Sequence, residues 1–293
     1  MSVDRPVEED DVVEQLMPGS ADIEHFRTKG WWVSPPILDE AVLEDALRGA
    51  ARIYRGEFDQ PLPDGRTHVG WQPSDGDVLR KNDHASLLVR ELRGVTMSRV
   101  IGAVAARLTG ADGIRLWHDQ LLYKPTTTAQ ATPADVRPHV GWHTDRQYWQ
   151  SASSASMLTA WVPFHEVRSE HGPVMFVDGS HLWDDVTGDF WDPDLGSLTR
   201  LAADRETHVS EALVPRGGVS FHHCRTIHGS GTNTSGEPRR AIAVHLQDAP
   251  NRFRHHRLPD STMARHGLDS LVRRTVDGDP DYSDPAICPL LWP

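Results

Sequence analysis

Apolar residues recur at helical spacing in two stretches of the first third of the chain. "LDEAVLEDALRGAARIYRGEF" places Leu43, Leu47, Ala50 and Tyr54 on one stripe, with Asp39 as N-cap and Gly56 near the stop. "VTMSRVIGAVAARLTG" repeats the pattern through Met97, Val100, Val104 and Leu108 and ends at Gly110. The run between them, "DQPLPDGRTHVGWQPSDGD", is dense in turn formers and reads as a long surface loop.

After Gly110 the period shortens. "IRLWHDQLLYKP", "SMLTAWVPFHEV", "PVMFVDGS", "GGVSFHHC" and "RRAIAVHLQDA" are short strand-like runs punctuated by Gly, Pro, Asp and Ser. Many short strands with turn chemistry between them favour a sandwich or barrel, so the expected body is mainly β with helices flanking its front. Residues 182–208 are Asp-rich, carry Trp183, Phe190 and Trp191, and read as a long, lid-like insert. The acidic opening, residues 1–19, reads as a mobile tail ahead of one domain spanning 20–293.

Composition narrows the function classes. The net charge is −12, from 42 acidic and 30 basic side chains. Such a surface repels phosphate backbones and anionic lipid, which argues against nucleic acid or membrane partners. Two cysteines, Cys224 and Cys288, are too few for a disulfide framework, and a reducing cytoplasm is the simplest home. No leader-like apolar region opens the sequence, and no apolar run approaches the length of a spanning helix.

The chemistry centres on "VGWHTDRQYW", residues 140–149. With 17 histidines in the chain, about one or two His-x-Asp triplets arise by chance, so His143 and Asp145 alone decide nothing. On a strand, residues two apart share a face, and both side chains would reach one ion. Two histidines and one carboxylate with open positions suit non-haem Fe(II) that activates O₂, so a distant histidine is required. His228 supplies it, at the end of a strand-like run and before a turn-rich segment that leads to Arg239 and Arg240. If the flanking strands pair as a hairpin, one arginine returns beside the metal. A guanidinium there needs an anion, and a dicarboxylate chelating iron at one end would serve both.

This combination resembles the phytanoyl-CoA dioxygenase family of Fe(II)/2-oxoglutarate oxygenases, over roughly residues 20–247 and most sharply at 116–125, 140–181 and 217–245. The resemblance implies a double-stranded β-helix (jelly-roll, cupin-like) core. It implies a metal site of His143, Asp145 and His228. "HGSGTN" with Arg239 eleven residues past His228 matches a family run, which makes Arg239 and Ser230 the partners of the far 2-oxoglutarate carboxylate. Trp161 in "LTAWVPFHEV" and Gln120 in "HDQLLYKP" fall at co-substrate-contacting positions. The run Val177-Asp178-Gly179-Ser180-His181 lacks the family's usual proline, which touches a turn only. Lys81 is the nearest match to an early lysine that some members direct at 2-oxoglutarate.

The implied activity is hydroxylation of an unactivated C–H in a small molecule, of the natural-product tailoring kind, with Fe(II), 2-oxoglutarate and O₂. Desaturation, cyclisation or epimerisation share the hydrogen abstraction and stay open. A non-catalytic barrel that binds 2-oxoglutarate or metal, and a zinc-dependent hydrolase or isomerase, are the readings from other classes. Asp145 argues against halogenation, in which a small residue replaces the carboxylate. His222 and His223 read as supporting or structural residues, His165 and His245 as hydrogen-bonded core histidines, and His139 as a loop residue. Gln147 and Trp149 share strand parity with the ligands if the strand continues. Arg146 reads as solvated, with Tyr148 and Trp149 as packing aromatics.

Overall fold

The computed structural model describes residues 15–127, 140–184, 186–192 and 194–293. Its elements run α1 (Ser20–Lys29), β1 (Trp31–Val33), α2 (Glu40–Tyr54), β2 (Arg80–Asp83), α3 (Ala85–Leu88), α4 (Arg93–Thr96), α5 (Arg99–Thr109), β3 (Ile114–Lys124), β4 (Val140–His143), β5 (Leu158–Pro163) and β6 (Val174–Val177). They continue with α6 (Leu198–Ala202), β7 (Val209–Glu211), β8 (Ser220–His223), β9 (His228–Ser230), β10 (Arg239–Asp248) and β11 (Leu290–Trp292). All five strand-like runs become strands. Two antiparallel sheets result: a larger one in the order β1-β8-β5-β10-β3-β11 with β2 also on β3, and a smaller one in the order β4-β9-β6-β7. This is the expected jelly-roll core with flanking helices.

The first helix forms as expected, with Asp39 at the N-cap position of α2, but its buried face is Leu43, Ala46, Ala50 and Ile53, and the expected Leu47 and Tyr54 pack at its half-buried margin. The second is interrupted. Thr96 closes α4, Met97 is exposed, and Ser98 starts α5 by accepting a hydrogen bond from the Ile101 amide at 3.4 Å. The serine hydroxyl competes for backbone donors, which favours a cap over a helix interior.

Strand parity divides the core. On β10, Ile242, Val244 and Leu246 join the large cluster that includes Leu43, Leu92, Ile101 and Val104 of the helical layer. Ala241 and Ala243 face the other way, with Trp161, Val174 and Phe176 between the sheets. Leu16 and Met17 already pack against the large cluster, so ordered packing begins ahead of α1.

Two further segments shape the site. The insert is docked on β4: the Asp189 amide donates to the Trp142 carbonyl at 3.0 Å and the Gly141 amide to the Phe190 carbonyl at 2.9 Å. After β10 the chain wraps back over β3. The buried Tyr282 hydroxyl donates to Asp269 at 2.7 Å and lies 2.7 Å from Ser151 Oγ, while β11 pairs with the start of β3. Among the described residues, no helix is long and apolar enough to cross a membrane.

Candidate metal and co-substrate site

The smaller sheet brings two imidazoles face to face. His143 ends β4, His228 opens β9, and the two are direct partners in the antiparallel register, with ring centroids 4.2 Å apart. Asp145 does not share a strand face with His143, because β4 stops at His143 and Asp145 begins a 3-10 turn, Asp145–Tyr148. The turn, rather than strand alternation, swings the carboxylate round. One ligand atom from each of His143, Asp145 and His228 lies within 4.8 Å of the others.

Hydrogen bonds fix which atoms face that point. His143 Nδ1 lies 2.8 Å from the Gly141 carbonyl and His228 Nδ1 lies 3.0 Å from the Thr226 carbonyl. A carbonyl only accepts, so both protons sit on Nδ1 and both Nε2 lone pairs are free for a cation. On Asp145, Oδ2 accepts from Thr159 Oγ1 at 2.5 Å, while Oδ1 lies 3.7 Å from His228 Nε2. Burial alone would raise the Asp145 carboxyl, but the imidazoles of His228, His222 and His245 hold it well below the usual carboxylate range. Burial pushes His143 and His228 down. An ionised carboxylate and two neutral imidazoles are the states a divalent first-row metal requires, so the donor set fits iron.

A cavity runs from this cluster towards Arg239, and its wall includes Gln120, Trp161, Ser230, Ala243 and His245. The register aligns these residues in transverse rows on the larger sheet. Gln120, Ala243 and Trp161 are neighbours across β3, β10 and β5, and Arg239 pairs with Lys124. The small Ala243 between two larger side chains opens the middle of the row. Sequence reasoning placed Arg239 on a hairpin with the His228 strand; instead β9 and β10 lie in different sheets, and Arg239 reaches the cavity from the opposite wall. The turn-rich link crosses between layers because β9 pairs with β4 and β6, not with β10.

The far end of this cavity is cationic. Arg239 is buried, donates to the Gly172 carbonyl and lies 5.1 Å above the Trp161 ring. Its burial pushes it down to about 9. Beside it Lys124, fully buried, donates to Ser230 Oγ at 2.6 Å, to the Ser230 carbonyl at 3.3 Å and to the Gly231 carbonyl. Because Ser230 Oγ accepts from Lys124, its own hydrogen remains available for a ligand. No carboxylate among the described residues forms an ion pair with Arg239 or Lys124.

Sequence reasoning missed Lys124 and Thr159, whereas His222 and His245, read as a supporting residue and a hydrogen-bonded core histidine, do line the cavity in those roles. Lys124 shares strand parity with Gln120, and Thr159 with Trp161, so an alternation signal existed for both. His222 Nε2 lies 3.3 Å from Asp145 Oδ2. Lys81 sits away from Arg239, 3.9 Å from Asp83 and over the Phe190 ring. His165 is half-buried and accepts from the Arg240 amide at 3.1 Å. His181 lies in a 3-10 turn, and His139 falls outside the described residues.

The expectations after Asp145 need correction. The strand does not continue, so parity does not aim Gln147 and Trp149: the Gln147 amide is tied to Gly188 by two hydrogen bonds of 2.9 Å. Trp149 is buried. Arg146 is buried rather than solvated, and donates to the carbonyls of Trp149, Ala152 and Ser154. Those carbonyls belong to an irregular loop, and the guanidinium fork gives all three a side-chain donor.

The family model described as phytanoyl-CoA dioxygenase (PhyH) matches residues 26–241. A probable alpha-ketoglutarate-dependent hypophosphite dioxygenase of Stutzerimonas stutzeri is 26% identical over 176 residues, 57% of this chain and 56% of that protein. The peroxisomal phytanoyl-CoA dioxygenase of Bos taurus is 25% identical over 140 residues, 46% of this chain and 40% of that one. The chain thus spans about half the length of the curated relatives it matches. Among solved structures, the epimerase SnoN in complex with Fe3+, alpha ketoglutarate and nogalamycin RO superposes with a TM-score of 0.67 at 27% identity, covering 97% of this chain and 100% of that chain.

Proposed function

The chain belongs to the phytanoyl-CoA dioxygenase family, and from that premise we propose that it is a non-haem Fe(II), 2-oxoglutarate-dependent dioxygenase that hydroxylates a small molecule. One observation carries the reading: two imidazoles and a carboxylate converge on a cavity whose wall also includes the buried Arg239, which has no carboxylate partner among the described residues.

The residues divide the work. The Nε2 atoms of His143 and His228 and Oδ1 of Asp145 would hold the iron, leaving positions for other ligands. Iron with 2-oxoglutarate supplies O₂ activation, with conversion of 2-oxoglutarate and O₂ to succinate and CO₂. Arg239 and the Ser230 hydroxyl bind the far carboxylate, and Lys124, whose burial beside Arg239 pushes its ammonium well below the usual lysine range, orients that hydroxyl. A buried cation without a counter-ion is costly, so the site is built to be completed by an anion. Gln120 and Trp161 wall the space between the two ends. Phe190, 5.2 Å from the His143 ring, screens the cluster from solvent.

Hydroxylation is the first reading. The likeness to the epimerase SnoN keeps epimerisation, and with it cyclisation or desaturation, as the alternative, because these differ only in the fate of the substrate radical. The carboxylate at Asp145 speaks against halogenation. An acidic surface supports a small-molecule partner over nucleic acid or membrane, and two buried free cysteines suit a cytoplasmic setting.

The test is an anaerobic titration with Fe(II) and 2-oxoglutarate followed by an oxygen pulse, with succinate measured. Wild type is expected to form succinate and His143→Ala to lose it. No succinate from wild type, or an undiminished yield in the variant, would sink the reading. Product mass then separates gain of one oxygen from loss of two hydrogens or no change.

A further inference from the structure

A second cavity meets the first at Gln120, His143, Asp145, Phe190 and His245. Its remaining wall includes His84, His118, Trp149 and His266. The sequence gives this concentration of imidazole no evident purpose, and the metal site does not use it. We propose that this chamber is the substrate subsite for a neutral molecule carrying adjacent hydroxyl groups, gripped by His245 Nε2 as acceptor and by His118 and His266. The inference rests on the dioxygenase reading for its place beside the metal, and on its own geometry for the ligand.

The hydrogen-bond polarity of His245 is fixed from the metal side. Thr159 has one hydroxyl hydrogen, and it goes to Asp145 Oδ2 at 2.5 Å. His245 Nδ1, 2.7 Å from Thr159 Oγ1, must then donate to that hydroxyl oxygen. His245 Nε2 is left as a bare lone pair, buried and without a partner. Anionic oxygens have no hydrogen to give it; a hydroxyl does. His266 is fixed the other way. Its Nδ1 accepts from the Leu268 amide at 3.1 Å, so the proton sits on Nε2.

His118 lies between them, with ring centroids 4.3 Å from His245 and 4.7 Å from His266. Both of its nitrogens are buried without a partner. Neutral imidazole offers one donor and one acceptor, the complement of a hydroxyl group. Burial holds His84 down to about 4 and keeps His118 and His266 well below the usual imidazole range, so these rings are neutral. Lys81, the cation on this wall, has Asp83 3.9 Å away. The chamber therefore lacks the unpaired positive charge found around Arg239.

The backbone has been bent to furnish this wall. His84 has φ 59° and ψ 31°, a left-handed conformation rare for a residue with a side chain. Asp119 holds it there: its carbonyl accepts from the His84 amide at 2.8 Å, and its carboxylate accepts from the Ser86 amide at 3.1 Å and hydroxyl at 2.6 Å. Trp149, with its ring 5.0 Å from His245, supplies an apolar face for a ring's C–H edges.

Ligand-observed NMR at millimolar concentration tests the proposal, with cis-cyclohexane-1,2-diol as the hydroxylated probe and cyclohexanecarboxylate and hypophosphite as anions. It is run on protein loaded anaerobically with Fe(II) and 2-oxoglutarate, and again on unloaded protein. The diol is expected to bind wild type, and to bind at least tenfold more weakly to His118→Leu and to His266→Asn. The asparagine Oδ1 keeps the cap on the Leu268 amide while its shorter side chain withdraws the ring Nε2–H from the chamber. Circular dichroism checks each fold. Tighter binding of either anion, equal diol binding to a folded His266→Asn, or no binding of the diol would overturn the proposal. Diol binding to unloaded protein that forms no succinate would uphold the chamber and refute the dioxygenase reading alone.

Discussion

At the scale of single residues, Thr159 has the largest reach. Its hydroxyl donates to Asp145 and accepts from His245, so it orients a metal-site carboxylate and sets the polarity of a substrate-facing ring. Groups that orient metal ligands typically contribute about 10–100-fold in metal affinity. Thr159→Val keeps the shape and removes both hydrogen bonds, and is expected to weaken Fe(II) binding by about 10–100-fold, while Thr159→Ser retains most of it. An anaerobic Fe(II) titration of the three proteins measures this, and equal affinity in all three would remove Thr159 from the site. His143, Asp145, His228 and Arg239 were legible through the His-x-Asp triplet, a distant histidine and the run HGSGTN with an arginine eleven residues past that histidine. Thr159 and Lys124 were not, since a threonine in a strand and a lysine at its end are ordinary. Only the register, which pairs Lys124 with Arg239, reveals what they do.

At the scale of elements, the strands were legible as runs but their faces were not. β10 is buried on both sides, so its apolar pattern does not alternate and periodicity cannot say which residues look inward. Arg239 and His245 share odd parity, but Arg240 and Asp248 on the other parity and the buried Gln247, tied to the Leu116 and Tyr282 carbonyls, blur that mark of the face. The insert was legible as an insert only; its docking depends on close backbone approach. A Cβ on Gly188 would lie 1.9 Å from the Trp142 carbonyl oxygen and 3.0 Å from His143 Cα. Gly188→Ala must therefore push the insert off β4, at a cost of about 1–3 kcal/mol. Trypsin is expected to cut at Arg200 and Arg205 several-fold faster in that variant. Gly196→Ala, whose Cβ would meet only the Asp194 side chain, serves as the control, and equal cleavage of both would show that the contact does not hold the insert.

At the scale of the whole molecule, the two cysteines report on integrity. Cys224 and Cys288 are both buried, and burial pushes Cys224 up to about 12 and raises Cys288 as well. Neither thiolate forms at pH 8 in the native fold. A thiol-reactive dye is expected to leave the native protein unlabelled and to label both positions only after denaturant opens it. Rapid labelling of either one without denaturant would show that the core around β5 or the C-terminal wrap opens locally.

That wrap also divides the molecule's inheritance. The metal ligands and the cationic end of the first cavity fall inside the stretch shared with the family, residues 26–241, whereas His266 and Gly267 fall beyond it. The reactive machinery and part of the selecting wall are thus written in separate passages of the chain.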